Sequence, residues 1–166
     1  MKKWLFLTVT IVILLTLTSC SQNTVEITDE NFKNYFNVEV WVHDVNETTT
    51  GSGIWTQYKD TCVLTISISP KKSVTVDGEI GVEFLVGPSK WFESRKSSHF
   101  EKDSNDKYLT KYDNGGFKYR AKIELKSDGC ATVNLTCKYQ GVTSLLDDLP
   151  DAEIYNIFGG GQITIK

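Results

Sequence analysis

Residues 118–139, KYRAKIELKSDGCATVNLTCKY, carry the clearest secondary-structure signal in the chain. Apolar and polar side chains alternate on both sides of the dipeptide Asp128-Gly129. A period of two is typical of a strand with one buried and one solvated face, and Asp-Gly favours a tight type I′ turn. With a second turn at Asn114-Gly115-Gly116, the pattern predicts a meander of three antiparallel strands over residues 107–139.

The same alternation recurs along the chain from Val38 onwards. It predicts further strands that begin at or near Val38, Cys62, Ile80, Ile154 and Ile163. No helices of crossover length separate these strands, which excludes a parallel sheet. Residues 28–36 predict one short helix with an aromatic face. The sequence therefore predicts an all-β fold, an antiparallel β-sandwich of about eight strands with one short N-terminal helix.

The beginning of the chain follows a different pattern. Lys2 and Lys3 precede an apolar run, which ends at Leu-Thr-Ser-Cys over residues 17–20. A basic start, a short apolar segment and small residues are typical of a secretory signal, whereas a spanning helix needs about 20 apolar residues. The stretch resembles the signal peptide and lipobox of bacterial lipoprotein precursors. In that family signal peptidase II cleaves before the cysteine, and the thiol carries a diacylglyceryl group.

This resemblance implies a domain organisation and a cellular location. It divides the chain into a signal peptide over 1–19, a lipidated Cys20 with its tether over 20–27, and a single β-sandwich domain over 28–166. The mature protein would lie on the extracytoplasmic face of the cell membrane, held by fatty acyl chains such as palmitate on Cys20. The alternatives are an uncleaved anchor helix, or a signal cut elsewhere with Cys20 an incidental thiol.

Charge argues against nucleic acid as a partner. The whole chain has a net charge of −3, and loss of Lys2 and Lys3 with the signal would make it about −5. No basic stripe is present in the sequence, and phosphate binding requires one.

The cysteines form an odd set once Cys20 is acylated. Cys62 and Cys137 share the apolar parity of their strands and are expected in the core, whereas Cys130 has the opposite parity. Core cysteines on an early and a late strand resemble the inter-sheet pair of immunoglobulin domains, although Leu135 stands where that family has a tyrosine. The resemblance implies an immunoglobulin-like sandwich with a Cys62–Cys137 disulfide. Two buried free thiols are the alternative.

Motifs for catalysis are absent from the sequence. It contains no Gly-x-Ser-x-Gly, no His-Glu-x-x-His and no Cys-x-x-Cys, and only two histidines, His43 and His99. We therefore expect no enzyme activity, no cofactor and no metal site.

A long segment over residues 87–112 is the most suggestive surface. Aromatic side chains and His99 alternate there with charged residues: Trp91, Phe92, His99, Phe100, Tyr108 and Tyr112. Long loops are often functional, and this mixture suits recognition of an extracellular protein or a glycan. The alternative is a small satellite core under the loop. The sequence thus predicts a non-catalytic, membrane-anchored binding or assembly domain; the competing hypothesis is an envelope enzyme or small-ligand carrier built from scattered residues.

We predict that Cys20→Ser releases the protein from the membrane fraction, because a serine hydroxyl cannot form the thioether that holds the lipid. Metabolic labelling with radioactive palmitate and cell fractionation measure the change. Cys130→Ser is the matched control and should keep both label and membrane association. A Cys20→Ser protein that is still labelled would contradict the lipobox interpretation.

Overall fold

The computed structural model describes residues 23–88, 98–102, 109–113, 117–147 and 149–166, with side chains over 23–87, 121–147 and 149–166. The chain is mostly β, with 65% in strands and about one helix in total. The strands are antiparallel, which confirms the all-β prediction.

Eleven strands, one α-helix and two 3₁₀ turns make up the described residues. They are, in order, β1 (Asn23–Glu26), α1 (Phe32–Tyr35), β2 (Phe36–Thr50), a 3₁₀ turn (Gly53–Trp55), β3 (Gln57–Pro70), β4 (Val74–Asp77), β5 (Gly81–Pro88), β6 (Ser98–Lys102), β7 (Leu109–Asp113), β8 (Phe117–Glu124), β9 (Ala131–Gly141), a second 3₁₀ turn (Leu145–Asp147), β10 (Pro150–Phe158) and β11 (Gln162–Ile165).

These strands form three antiparallel sheets. One four-stranded sheet has the order β2-β3-β9-β6, and the other has the order β10-β5-β8-β7. A smaller sheet has the order β1-β11-β4. Side chains from all three sheets belong to one hydrophobic core, so none of the sheets packs by itself.

Strand β3 is the centre of this arrangement. It pairs with β2 on one side and with β9 on the other, so Ile66 lies opposite both Val40 and Val133. Its core-facing residues Leu64, Ile66 and Ile68 are at most 1% exposed. The core-facing residues of β5 in the other large sheet, Val82, Phe84 and Val86, are at most 2% exposed. Their alternation is the reason for the burial, because every second side chain points into the core.

The predicted meander over residues 107–139 is wrong in its second half. β7 does pair with β8, but β8 then pairs with β5, while β9 pairs with β3 and β6. The Asp128-Gly129 turn therefore connects two different sheets instead of closing a hairpin. Alternation determines which face of a strand is buried, but it does not determine which strand lies beside it.

The turn is not the type I′ turn that the sequence predicts, because that type needs positive φ at both Asp128 and Gly129, and only Gly129 has it. Gly129 has a φ of 75° and donates from its N–H to the carbonyl of Lys126 at 2.8 Å. The side chain of Asp128 accepts a hydrogen bond from the N–H of Cys130 at 2.9 Å. A Cβ on Gly129 would lie 2.9 Å from Val74 and 3.1 Å from Phe36. The bend is thus packed against β4 and the start of β2.

The N-terminal segment is more ordered than a tether. Asn23–Glu26, placed in the tether by the sequence analysis, form β1 and pair with β11. The predicted helix over residues 28–36 shortens to α1. Asn31 accepts from the N–H of Thr28 at 2.9 Å, and the rings of Phe32 and Phe36 stack at 4.7 Å in the core. Cys20 and the signal over 1–19 lie outside the described residues.

We predict that Gly129→Ala destabilises the fold more than Gly160→Ala. Both glycines have positive φ, so alanine at either position costs about 1–2 kcal/mol of backbone strain. A Cβ at Gly160 meets nothing within 4 Å, whereas at Gly129 it crowds Val74 and Phe36, which adds about 1–3 kcal/mol. Urea unfolding of both variants measures the difference. Equal losses would contradict the packing of this turn.

Candidate functional site

A chain of hydrogen bonds crosses the outer face of β2, β3 and β9. The Nδ1 atom of His43 lies 2.9 Å from a carboxylate oxygen of Asp44, and its Nε2 atom lies 2.8 Å from the hydroxyl of Thr65. That hydroxyl donates to the amide oxygen of Asn134 at 2.8 Å. The order carboxylate, imidazole, hydroxyl is also that of a catalytic triad.

The direction of these hydrogen bonds determines whether His43 could activate Thr65 as a nucleophile. An amide oxygen only accepts, so the hydroxyl proton of Thr65 points to Asn134, and the Nε2 atom of His43 has to donate to Thr65. A general base would instead need to accept that proton. Thr65 is also only 3% exposed. In this geometry the hydrogen-bond network fixes the side chains of His43, Thr65 and Asn134, and it does not present Thr65 as a nucleophile.

A β-bulge creates the arrangement. Pairing between β2 and β3 is interrupted between His43 and Asn46, and Asp44 there has a φ of 51°, unusual for any residue but glycine. The bulge directs the carboxylate of Asp44 towards His43. Trp41, opposite Thr65 in the register, stands beside this network and is 43% exposed. The outer face of the sheet thus combines one aromatic side chain with fixed polar groups.

A buried carboxylate lies on the opposite face of the same sheet. Asp60 is 1% exposed and accepts hydrogen bonds from the hydroxyl of Ser144 at 2.7 Å and the N–H of Leu145 at 2.6 Å. These bonds attach the segment between β9 and β10 to β3. The other carboxylate oxygen of Asp60 has no hydrogen-bond partner among the described residues. The parity that places Cys62 and Leu64 in the core could have identified Asp60, since it lies two residues before Cys62.

The two core cysteines lie in one sheet, not across two. Cys62 on β3 is directly opposite Cys137 on β9, and both are free, buried thiols. The inter-sheet position implied by the immunoglobulin resemblance is therefore wrong. The hydrogen bond with Cys137 lowers the pKa of Cys62, while that same bond and burial raise the pKa of Cys137. Opposite residues of antiparallel strands are about 4.5–5.5 Å apart at Cα, within the range of a disulfide.

The tip of the β2–β3 hairpin exposes the two most solvent-accessible of the large apolar side chains described. Ile54 is 86% exposed and Trp55 is 78% exposed. They lie in the 3₁₀ turn, whose shape is set by hydrogen bonds from the Thr56 N–H and hydroxyl to the carbonyl of Gly53. Residues 48–58 contain no charged side chain. We call Ile54 and Trp55 the hairpin tip. Sequence reasoning missed it, although a Gly-Ser-Gly loop followed by Ile-Trp is an unusual place for such side chains.

The predicted binding segment over residues 87–112 is only partly described. Its backbone contributes β6, where His99 and Phe100 lie opposite Lys138 and Cys137, and β7, which includes Tyr112. β6 and β7 are edge strands of different sheets within the described chain. Trp91, Phe92 and Tyr108 lie outside the described residues, so their role in binding stays a prediction.

Grooves on the described surface are shallow and follow the junctions between sheets. One of about 350 Å³ lies between the ends of β8 and β9, lined by residues such as Lys122 and Val133. Two adjoining grooves of about 360 and 430 Å³ lie between β2 and β10 and share Lys33, Val38 and Ile154. Both polar and apolar side chains line all three grooves.

Comparisons with known proteins give no relative. The chain matches no family model, no curated protein and no solved structure. Among the described residues, no helix has the length and apolar character needed to span a membrane. The same residues contain no group of three or more histidine, cysteine or acidic side chains arranged to hold a metal ion.

We predict that Cys62 and Cys137 become bridged when the chain after Cys20 is kept under oxidising conditions, because the two thiols lie opposite each other on paired strands. After unfolding without reductant, iodoacetamide should then modify Cys130 alone, as measured by intact mass. Reduction should make all three thiols reactive. Three modified thiols before reduction would contradict the bridge.

Proposed function

We propose that this protein is a membrane-anchored surface lipoprotein whose β domain is a non-catalytic binding or assembly module. The lipobox pattern at residues 17–20 supports the anchor, and the exposed hairpin tip supports the binding role. We further propose that the two four-stranded sheets form an immunoglobulin-like β-sandwich. The core that they share supports a sandwich, although the position of the cysteine pair departs from the immunoglobulin pattern.

The anchor and the hairpin tip would lie at opposite ends of the domain. β1 begins three residues after Cys20, a reach of about 10 Å, so the small sheet would stay close to the bilayer. That sheet includes Val74, which follows the end of β3 at Pro70 and lies beside the Gly129 turn. The hairpin tip lies at the other end of β3, whose 14 residues span about 43 Å. The end of the domain with the hairpin tip would therefore point away from the membrane, towards a partner.

The hairpin tip has the chemistry of a protein-binding anchor point. Full burial of a large apolar side chain contributes about 1.5–3 kcal/mol, and tryptophan is enriched among the residues that dominate interfaces. The absence of charge over residues 48–58 lowers the cost of desolvating the surrounding loop. Its position on a hairpin that projects beyond β9 leaves space for a partner to approach, because the pairing of β3 with β9 stops at Tyr58.

We predict that the double substitution Ile54→Ser and Trp55→Ser weakens partner binding by at least about tenfold, equal to about 1.4 kcal/mol. Both side chains are exposed, so the melting temperature should change little. Crosslinking on intact cells, with the partner band identified by mass spectrometry, measures the loss.

Tyr155→Ser is the matched control, since Tyr155 is a large exposed side chain on β10, away from the hairpin. The control should crosslink like the unmodified protein. If the double variant keeps the full partner band, binding does not use the hairpin tip.

A further inference from the structure

Two edge strands of the large sheets, β2 and β10, lie beside each other without pairing. Within the described residues, β2 pairs only with β3 and β10 pairs only with β5. The adjoining grooves between β2 and β10 follow these two edges. β2 is also the longest strand, with 15 residues, and it pairs without interruption from Phe36 to His43.

The bottom of this β2–β10 groove is apolar. Phe84 is fully buried beneath it, and Val38, Val40, Ala152 and Ile154 line it as half-buried side chains. Their counterparts on the central strand β3 are at most 1% exposed. The inward-facing side chains at this edge therefore keep part of their apolar surface in solvent, although they point towards the core.

We propose that the edge of β2 and the β2–β10 groove bind an extended segment of a partner protein, which adds a strand beside β2 over residues 36–43. Apolar side chains at every second position of that segment would enter the groove. This inference concerns a different surface from the hairpin tip and does not depend on it.

The backbone chemistry identifies an extended chain as the occupant. Along an edge strand, every second residue directs its N–H and C=O away from the neighbouring strand. An extended peptide offers matching groups at the same spacing, whereas a helix uses its own backbone groups internally and a lipid chain has none. β2 is the better edge for pairing, because the N–H of Ile157 on β10 already donates to Asp29 at 2.7 Å.

The charged residues of the groove and the length of regular pairing along β2 further define the partner segment. Lys33 lines both parts of the groove and Lys71 lines one of them, with its ammonium group on the carbonyl of Lys33, so an acidic residue at that end of the segment would be favoured. The bulge after His43 ends regular pairing, which limits the added strand to about six to eight residues.

The test uses the mature domain and a displayed library of random peptides as the probe. We expect the selected peptides to carry apolar residues at alternate positions. The best binder is then synthesised in three forms: one unmodified, and two methylated at the backbone nitrogens of alternate residues, one for each of the two possible registers. Methylation on the register that faces β2 should weaken binding at least about tenfold, because it removes donors without changing side chains.

Variants of the domain locate the site. Val40→Asp should abolish binding of the unmodified peptide, whereas Val142→Asp, which changes an exposed valine near the hairpin end, should leave it unchanged. A thermal melt shows whether Val40→Asp is folded. If Val40→Asp is not folded, the methylated peptides still test the proposal, because they are measured on the unmodified protein.

Four outcomes would overturn the proposal. They are a library that gives no binder, binding that survives methylation in both registers, binding that is lost with Ile54→Ser and Trp55→Ser, and a dimer in sedimentation analysis that Val40→Asp disrupts. The third result would assign peptide binding to the hairpin tip, and the fourth would assign this edge to a second copy of the chain. Failure here with normal partner crosslinking would leave the proposed function of the hairpin tip intact.

Discussion

The double pairing of β3 is the interaction on which the rest of the structure depends. β3 holds β2 and β9 on its two sides and presents Leu64 and Ile66 to a core shared with β5. The same strand carries Asp60, which fixes the segment after β9, and Cys62, which lies opposite Cys137. On its outer face Thr65 connects His43 to Asn134. One strand therefore organises the core, the cysteine pair and the polar surface.

The two surfaces proposed for binding lie outside the part of the sheet in which β3 is paired on both sides. The hairpin tip extends beyond the last residue of β3 that β9 covers, and so Ile54 and Trp55 remain in solvent. The β2–β10 groove lies at a side of the core where no described strand adds to β2, and so Val38 and Val40 remain half-buried. Under the two proposals, a domain anchored near β1 would use the tip to bind a distant partner and the edge of β2 to incorporate an extended segment. These are separate tasks that one small core can support.

Alternation predicted the strands well because each buried face depends on local sequence. The residues around Leu64, Phe84 and Leu135 all lie in strands with the expected inward parity. The pairing of the strands was harder to predict from the sequence, because Asp128-Gly129 has the local chemistry of a hairpin turn but joins two sheets. The site was hardest. A single strand pattern shows that Cys62 and Cys137 point inward, but only the register shows that they are neighbours, and the exposure of Trp55 depends on where β9 stops.

Native-state hydrogen exchange tests the central role of β3 most directly. With pairing on both sides, the amides of β3 between Cys62 and Ile68 should be the most slowly exchanging in the chain and should open only with global unfolding. On β2, protection should alternate between residues 36 and 43, since only every second N–H points to β3. Fast exchange along β3, or uniform protection along β2 in the isolated domain, would contradict this account.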